Sequence, residues 1–312
     1  MRILFFGSPD FAVPTLRALT ASAHRVVGVV TQPDRPRGRG QRVTPGAVAA
    51  AARALRLAVV QPATLSDPGV ADTLAAFGAD VGVVAAYGKI LPEWLLALPP
   101  AGMVNVHASL LPKYRGAAPV HRAVMNGESD TGVTIMRVVR ALDAGPMIDR
   151  AVVPIGPDDT SAEIECVVSG VGARLLVDVV DRLAFGPLRE TLQDDREATY
   201  APKITRADSA IDWRRSAQAV HDQIRGLHPW PHASSSLAGE RVIVHRSVRI
   251  DGAVRAPAGT VHAAGPLGID VVAGDGGLVR LIALQAEGGR RMSVAEFLAG
   301  RPVPPDSGFE VL

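Results

Sequence analysis

The sequence predicts an α/β chain in two parts: an N-terminal Rossmann-like parallel sheet with helices on both faces, then a small C-terminal β-barrel. Three observations carry this. Strand and helix patterns alternate from the first residue to about residue 107. The strand segments are apolar throughout instead of every second residue, which fits strands covered on both faces. Beyond residue 207 the pattern changes to short strands split by Gly and Pro, the spacing of a barrel.

The elements follow in order. Residues 2–7, RILFFG, form a buried strand that ends on a glycine. Residues 10–20 form a helix with Phe11, Thr15, Leu16 and Leu19 on one face. Strands are expected at 24–31, 57–62, 79–88 and 102–107, with helices between them at 44–57 and 67–78. Residues 131–139 and 146–155 make a strand pair around the loop RALDAG. A long helix covers 159–186: Thr160 and Glu163 make a capping box at its start, and Gly186 and Pro187 end it. Residues 187–207 are polar and irregular. A helix at 214–226 precedes the short strands. The division is therefore a catalytic domain at 1–188, a linker at 189–206 and a second domain at 207–312.

Composition narrows the function classes. The 312 residues are 47% apolar, ample for a core, and only 4% aromatic. A net charge of +2 permits an anionic partner without requiring one. The single cysteine, Cys166, excludes an intramolecular disulfide or a cysteine metal cluster. Its neighbours Ile164, Val167 and Val168 suggest a buried, inert thiol. The N-terminal apolar run is too short for a signal peptide, and no stretch approaches the roughly 18 apolar residues of a membrane span, so a cytoplasmic protein is expected. The first strand–helix turn, GSPDF, is not the Gly-x-Gly-x-x-Gly of a dinucleotide site.

The chemistry gathers at NVHASLLPKYRGAAP, residues 105–119. Asn105 and His107 are two apart on a strand, so they face one side, at its carboxyl end, where open parallel sheets keep their ligands. Either residue alone reads as a turn cap or a satisfied core group. Together, before a Gly/Pro loop, they read as functional. Asp143, in RALDAGPMI, is the acidic group best suited to orient the imidazole, with an Asx-turn as its plainer role. His221, His228, His232, His245 and His262 show no metal-ligand spacing, and no metal is expected.

NVHASLLPKYRGAAP resembles the signature of the folate-dependent formyltransferases, and GVTIMRVVRALDAGPMI resembles their second block. The resemblance runs from GSPDF to the terminal MSVAEFLAG. It implies a catalytic triad of Asn105, His107 and Asp143 and 10-formyltetrahydrofolate as formyl-donor co-substrate, with no tightly bound cofactor. It further implies a folate pocket of Tyr87, Gly88, Ile90 and Leu91 with Ser109, Leu110, Leu111 and Pro112. The chemistry agrees. Formyl transfer to an amine passes through an oxyanion that Asn105 and His107 can receive by hydrogen bonds, and Asp143 beside His107 favours the protonated, donating ring.

The acceptor is read from TQPDRPRGRGQRVTP, residues 31–45, which holds Arg35, Arg37, Arg39 and Arg42 with Asp34 opposing. By composition this is equally a solvated surface loop or a phosphate-binding one. It resembles the insertion with which the branch of the family acting on methionyl-tRNA grips the acceptor stem, Arg39 between two glycines falling on the key position. Some relatives carry Lys pairs where this chain has Gln41 and Arg42. The C-terminal part resembles the family's OB-like second domain, in which Arg214, Arg215, Arg225, Arg241, Arg246 and Arg249 extend a basic track. Trp213 and Trp230 read as packing anchors. The implied partner is initiator methionyl-tRNA, with the protein working as a monomer. The rival readings are a formyltransferase for an amino-sugar nucleotide, a non-catalytic RNA-binding protein, and a hydrolase releasing formate.

Overall fold

The computed structural model describes residues 1–37 and 42–312. Its first strands are β1 (Arg2–Gly7), β2 (Arg25–Val30), β3 (Arg35–Arg37), β4 (Arg42–Thr44), β5 (Val59–Val60), β6 (Val81–Ala85), β7 (Met103–His107), β8 (Arg115–Gly116), β9 (Asp130–Arg137), β10 (Met147–Pro154) and β11 (Tyr200–Ala201). The helices among them are α1 (Val13–Ala21), α2 (Ala47–Ala54), α3 (Pro68–Ala75), α4 (Glu93–Leu96), α5 (Pro119–Met125) and α6 (Ser161–Leu183). The chain forms two compact units. The first comprises Met1–Gly116, Thr131–Val153 and Glu165–Tyr200; the second comprises Ala117–Asp130, Pro154–Ile164 and Ala201–Leu312.

The first unit is built on a sheet of order β10-β9-β7-β6-β1-β2-β5. Its β5, β2, β1, β6 and β7 are parallel. The expected parallel sheet is thus extended: β9 joins β7 antiparallel, and β10 follows at the edge. The strand pair read from residues 131–155 belongs to the same sheet because Thr131, Val133 and Ile135 bury like the strands before them. Ile3, Leu4, Phe5 and Phe6 are all fully buried, so both faces of β1 are covered. Helix α6 comes close to β7 and β9 at Gly172, where a Cβ would stand 2.8 Å from the Val106 side chain. Its capping box forms as expected: the Thr160 N–H and hydroxyl donate to Glu163 at 2.8 and 2.7 Å, and the Glu163 N–H donates back to the Thr160 hydroxyl at 3.4 Å.

The second unit adds α7 (Ala217–Gly226), β12 (Ala233–Leu237), β13 (Glu240–Ala253), β14 (Val261–Gly265), β15 (Gly268–Val272), β16 (Gly277–Ala286), β17 (Met292–Ser293), α8 (Val294–Gly300) and β18 (Phe309–Glu310). The strands form a sheet of order β14-β15-β16-β13-β12-β18. The ends of this order meet: Thr260 bridges Gly308, and the Val261 N–H donates to the Ser307 carbonyl at 2.8 Å. The sheet therefore curls round a core of Ile211, Val220, Ile224, Val244, Val271 and Leu281, the barrel read from the sequence.

Three side chains lie where the sequence did not put them. Cys166 is exposed, not buried, because α6 turns Ile164 and Val168 inward and Val167 outward with it. Trp213 is an anchor, buried against Phe309 with its indole N–H on the Ser235 hydroxyl at 2.9 Å. Trp230 is not: it is 51% exposed. Arg225 is no part of a surface track; it is buried, paired with Asp222 and donating to the Gly156 and Asp159 carbonyls at 3.0 Å each.

Candidate active site

The carboxyl ends of β1, β2 and β6 are tied together. The Ser8 hydroxyl accepts from the Gln32 N–H at 3.2 Å, and the Gln32 amide donates to the Tyr87 carbonyl at 2.9 Å. Chain order reverses across the sheet between β1 and β6, the place where such sheets form a crevice. β7 lies next to β6 and ends in Asn105 and His107.

Asn105 is half-buried, and its carboxamide makes no hydrogen bond among the described residues. His107 is buried, with its Nε2 3.0 Å from the Tyr114 carbonyl. A carbonyl only accepts, so Nε2 carries a proton there. The other nitrogen, Nδ1, faces Asp143 Oδ2 at 3.7 Å, beyond a hydrogen bond and within ion-pair range. In a neutral ring Nδ1 is the bare nitrogen. In an imidazolium both nitrogens would face an oxygen of the protein.

Asp143 sits on the loop between β9 and β10 with φ +49°, a left-handed conformation that Asp and Asn adopt more readily than most residues. Its Oδ2 accepts from the Gly116 N–H at 2.8 Å. The loop is seated by close approach at Gly145: a Cβ there would stand 1.9 Å from the Arg137 carbonyl oxygen. The structure thus brings Asn105, His107 and Asp143 to one end of the sheet.

Two residues that sequence reasoning missed hold this loop. The Gln193 amide donates to the carbonyls of Asp143 and Gly145, at 2.8 Å each. Its oxygen accepts from Arg115 Nε and Nη2 at 3.0 and 2.8 Å, and Arg115, itself buried, also pairs with Asp195 at 2.8 Å. Arg115 lies inside the stretch singled out above. Gln193 lies in the irregular segment, where nothing in the local pattern marks it.

The expected pocket residues are spread between core and surface. Tyr87 is buried, its ring edge-on to Phe6 with centroids 5.6 Å apart, and burial pushes its hydroxyl up to about 12. Gly88 is exposed with φ +78°, Ile90 is 85% exposed and Leu91 is buried. Ser109 and Leu111 are fully buried; the Ser109 hydroxyl donates to the Lys113 carbonyl at 2.6 Å, and the Leu111 N–H donates to Thr134 at 3.1 Å. Leu110 and Pro112 are half-buried.

The basic stretch begins as a hairpin: β3 pairs antiparallel with β4, Arg37 opposite Arg42. Arg35 is exposed. Arg39 lies outside the described residues. Asp34 is engaged by residues outside this stretch. It accepts from Gln61 at 2.8 Å, the Gly46 N–H at 3.2 Å and Arg53 at 3.3 Å, and the Gln61 bond, with smaller help from Gly46 and Arg53, holds its carboxyl below the usual range.

Three of the five histidines set aside in the sequence come together. One ring nitrogen from each of His228, His232 and His245 lies within 4.8 Å of the others. The fold unites what sequence spacing kept apart, because His245 comes from β13 while His228 and His232 lie between α7 and β12.

Residues 1–180 match the formyl transferase family, and residues 203–302 match the formyl transferase C-terminal domain. The chain is 44% identical over 298 residues to the methionyl-tRNA formyltransferase of Methylococcus capsulatus, covering 96% of each. It is 45% identical over 302 residues to that of Thiobacillus denitrificans, covering 96% of this chain and 97% of that one. Among solved structures it resembles an N-formyltransferase from Helicobacter canadensis in complex with folinic acid and dTDP-3-aminofucose, with a TM-score of 0.69 at 16% identity over 89% of this chain and 98% of that one. It also resembles HypX from Aquifex aeolicus in complex with tetrahydrofolic acid, with a TM-score of 0.64 at 17% identity, over 98% of this chain and 48% of that one. At such identities the structural likeness is one of fold.

Proposed function

The chain belongs to the formyl transferase family, among the methionyl-tRNA formyltransferases, and from that premise we propose that it transfers the formyl group of 10-formyltetrahydrofolate to the α-amino group of methionyl initiator tRNA. The products are N-formylmethionyl-tRNA, for translation initiation, and tetrahydrofolate. The observation that carries the reading is the meeting of His107 Nδ1 and Asp143 Oδ2, 3.7 Å apart, at the end of the strand that also carries Asn105.

The roles follow from the hydrogen bonds. The neutral amine attacks the formyl carbon, and the carbonyl oxygen becomes an oxyanion. Asn105, whose carboxamide makes no hydrogen bond among the described residues, donates to that oxygen. His107 is anchored through Nε2, which leaves Nδ1 to accept the proton that the amine nitrogen sheds. The carboxylate of Asp143, oriented by the Gly116 N–H, stabilises the imidazolium so formed. The carbon–nitrogen bond to the folate then breaks, and the folate nitrogen takes up a proton. In this reading the transfer uses no metal.

The folate-type donor is held between residues 85–92 and 109–112, both at the carboxyl edge of the sheet. Arg35, Arg37, Arg39 and Arg42 neutralise phosphates of the acceptor stem, and the second unit carries exposed Arg241, Arg246 and Arg249 that suit tRNA phosphates as well. The protein works in the cytoplasm as a monomer, with a catalytic domain at 1–188, a linker at 189–206 and a tRNA-binding domain at 207–312. The test is a transfer assay with 10-formyltetrahydrofolate and methionine-charged initiator tRNA, beside an amino-sugar nucleotide and a control without acceptor. Transfer to the tRNA alone is expected. Transfer to the sugar, or formate release without acceptor, would overturn the assignment of the acceptor.

A further inference from the structure

Three imidazoles meet inside the second unit. His228 and His232 flank the turn between α7 and β12, and His245 lies on β13. The His232 ring centroid is 4.3 Å from that of His245 and 5.2 Å from that of His228. The Nδ1 atom of each is buried and without a hydrogen-bond partner among the described residues. A buried nitrogen left bare is unfavourable, and three in one place call for an explanation.

The backbone aims them. The β13–β16 register slips between Val244 and Arg246, so His245 is the extra residue of a bulge. Both Val244 and His245 are buried there, where plain alternation would turn one outward. His232 has φ +64°, a left-handed conformation unusual for a residue with a side chain.

The tautomer of His245 can be assigned. The Gln285 amide nitrogen donates to the Gly289 carbonyl at 2.9 Å, so its oxygen is the atom 2.9 Å from His245 Nε2. Nε2 must then donate, and Nδ1 keeps a bare lone pair. An imidazole fixed by a hydrogen bond at its far nitrogen is the usual arrangement of a metal-bound histidine.

We propose that His228, His232 and His245 bind one divalent transition metal ion of the imidazole-seeking class, zinc being the physiological candidate. Nitrogens about 2.1 Å from a tetrahedral zinc lie about 3.4 Å from one another. Side-chain rotation brings nitrogens now within 4.8 Å to that spacing. Three protein ligands leave a fourth position for water or an anion, and positively charged Arg291 and Arg246 near the cluster favour the anion. The ion would pin the 228–232 turn to the barrel wall.

The experiment uses the untagged full-length protein, stripped with a chelator and titrated with Co²⁺, whose visible absorption intensifies in tetrahedral sites. One equivalent should bind with a saturable spectrum, be displaced by Zn²⁺ and raise the unfolding temperature. His228→Ala and His232→Ala should each weaken binding more than about 100-fold, and Gln285→Ala, which frees His245, by roughly 10–100-fold. His262→Ala, at an exposed histidine outside the cluster, should bind like the wild type. Near-ultraviolet dichroism checks that each variant is folded. The proposal is overturned if the wild type gives no saturable spectrum, if folded His228→Ala and His232→Ala bind like the wild type, or if His262→Ala abolishes binding.

Discussion

The side-chain amide of Gln193 donates to the backbone carbonyls of both Asp143 and Gly145, at 2.8 Å each. One amide thereby closes the loop that presents the Asp143 carboxylate, and Arg115 clamps the opposite end of that amide. Gln193 is a positioning residue. Gln193→Ala should lower kcat about tenfold or more while leaving KM for the tRNA within about twofold, since a 1 Å misplacement of a catalytic group can cost 10²-fold. Steady-state kinetics with both substrates separate the outcomes; a rise in KM with kcat unchanged would assign Gln193 to binding instead.

Asp143 permits a substitution that changes charge alone. Asn tolerates the left-handed φ of +49°, and its carbonyl oxygen can still accept from the Gly116 N–H. Asp143→Asn should fold like the wild type yet lose about 10²–10⁴ in kcat, the range of a general acid–base contribution. Turnover within tenfold of the wild type, in protein with an unchanged unfolding curve, would mean that the carboxylate charge does not support His107.

These residues differ in how far the sequence discloses them. Asn105 and His107 are legible because a strand imposes period two and a parallel sheet keeps its ligands at the carboxyl ends. Asp143 needed the family resemblance, since nothing local joins it to His107. Gln193 was illegible: it lies 50 residues from Asp143, in a polar stretch whose partners are backbone carbonyls. The barrel showed in its Gly/Pro-split strands, but the bulge at His245 did not, because a register slip leaves no mark in composition. Spacing rules for metal ligands fail there for the same reason. The exposed Cys166 shows the limit of reading burial from neighbours on a helix, where adjacent residues point about 100° apart.

Arg39, outside the described residues, stands between Gly38 and Gly40 in the sequence. Arg39→Ala should raise KM for the tRNA at least tenfold, leave KM for the folate unchanged and flatten the salt dependence of tRNA binding by about one charge. Equal effects on both KM values would remove this stretch from acceptor recognition.

The capping box of α6 gives a stability term that pH should switch off. The hydrogen bond from the Thr160 N–H is the largest cause holding the Glu163 carboxyl below its ordinary value of 4.5, and the Thr160 hydroxyl adds to it. A depressed carboxyl means that the unfolded chain binds the proton more readily, so acid favours unfolding. The contribution is complete above pH 4.5 and fades as pH falls through the lower folded value. Glu163 is exposed, which limits its worth to about 1 kcal/mol or less after screening. Glu163→Ala should therefore lower the urea midpoint at pH 7, and the gap between variant and wild type should narrow on acidification below about pH 4. A gap that stays constant with pH would place the effect in lost side-chain contacts of Glu163 and not in its charge-assisted cap.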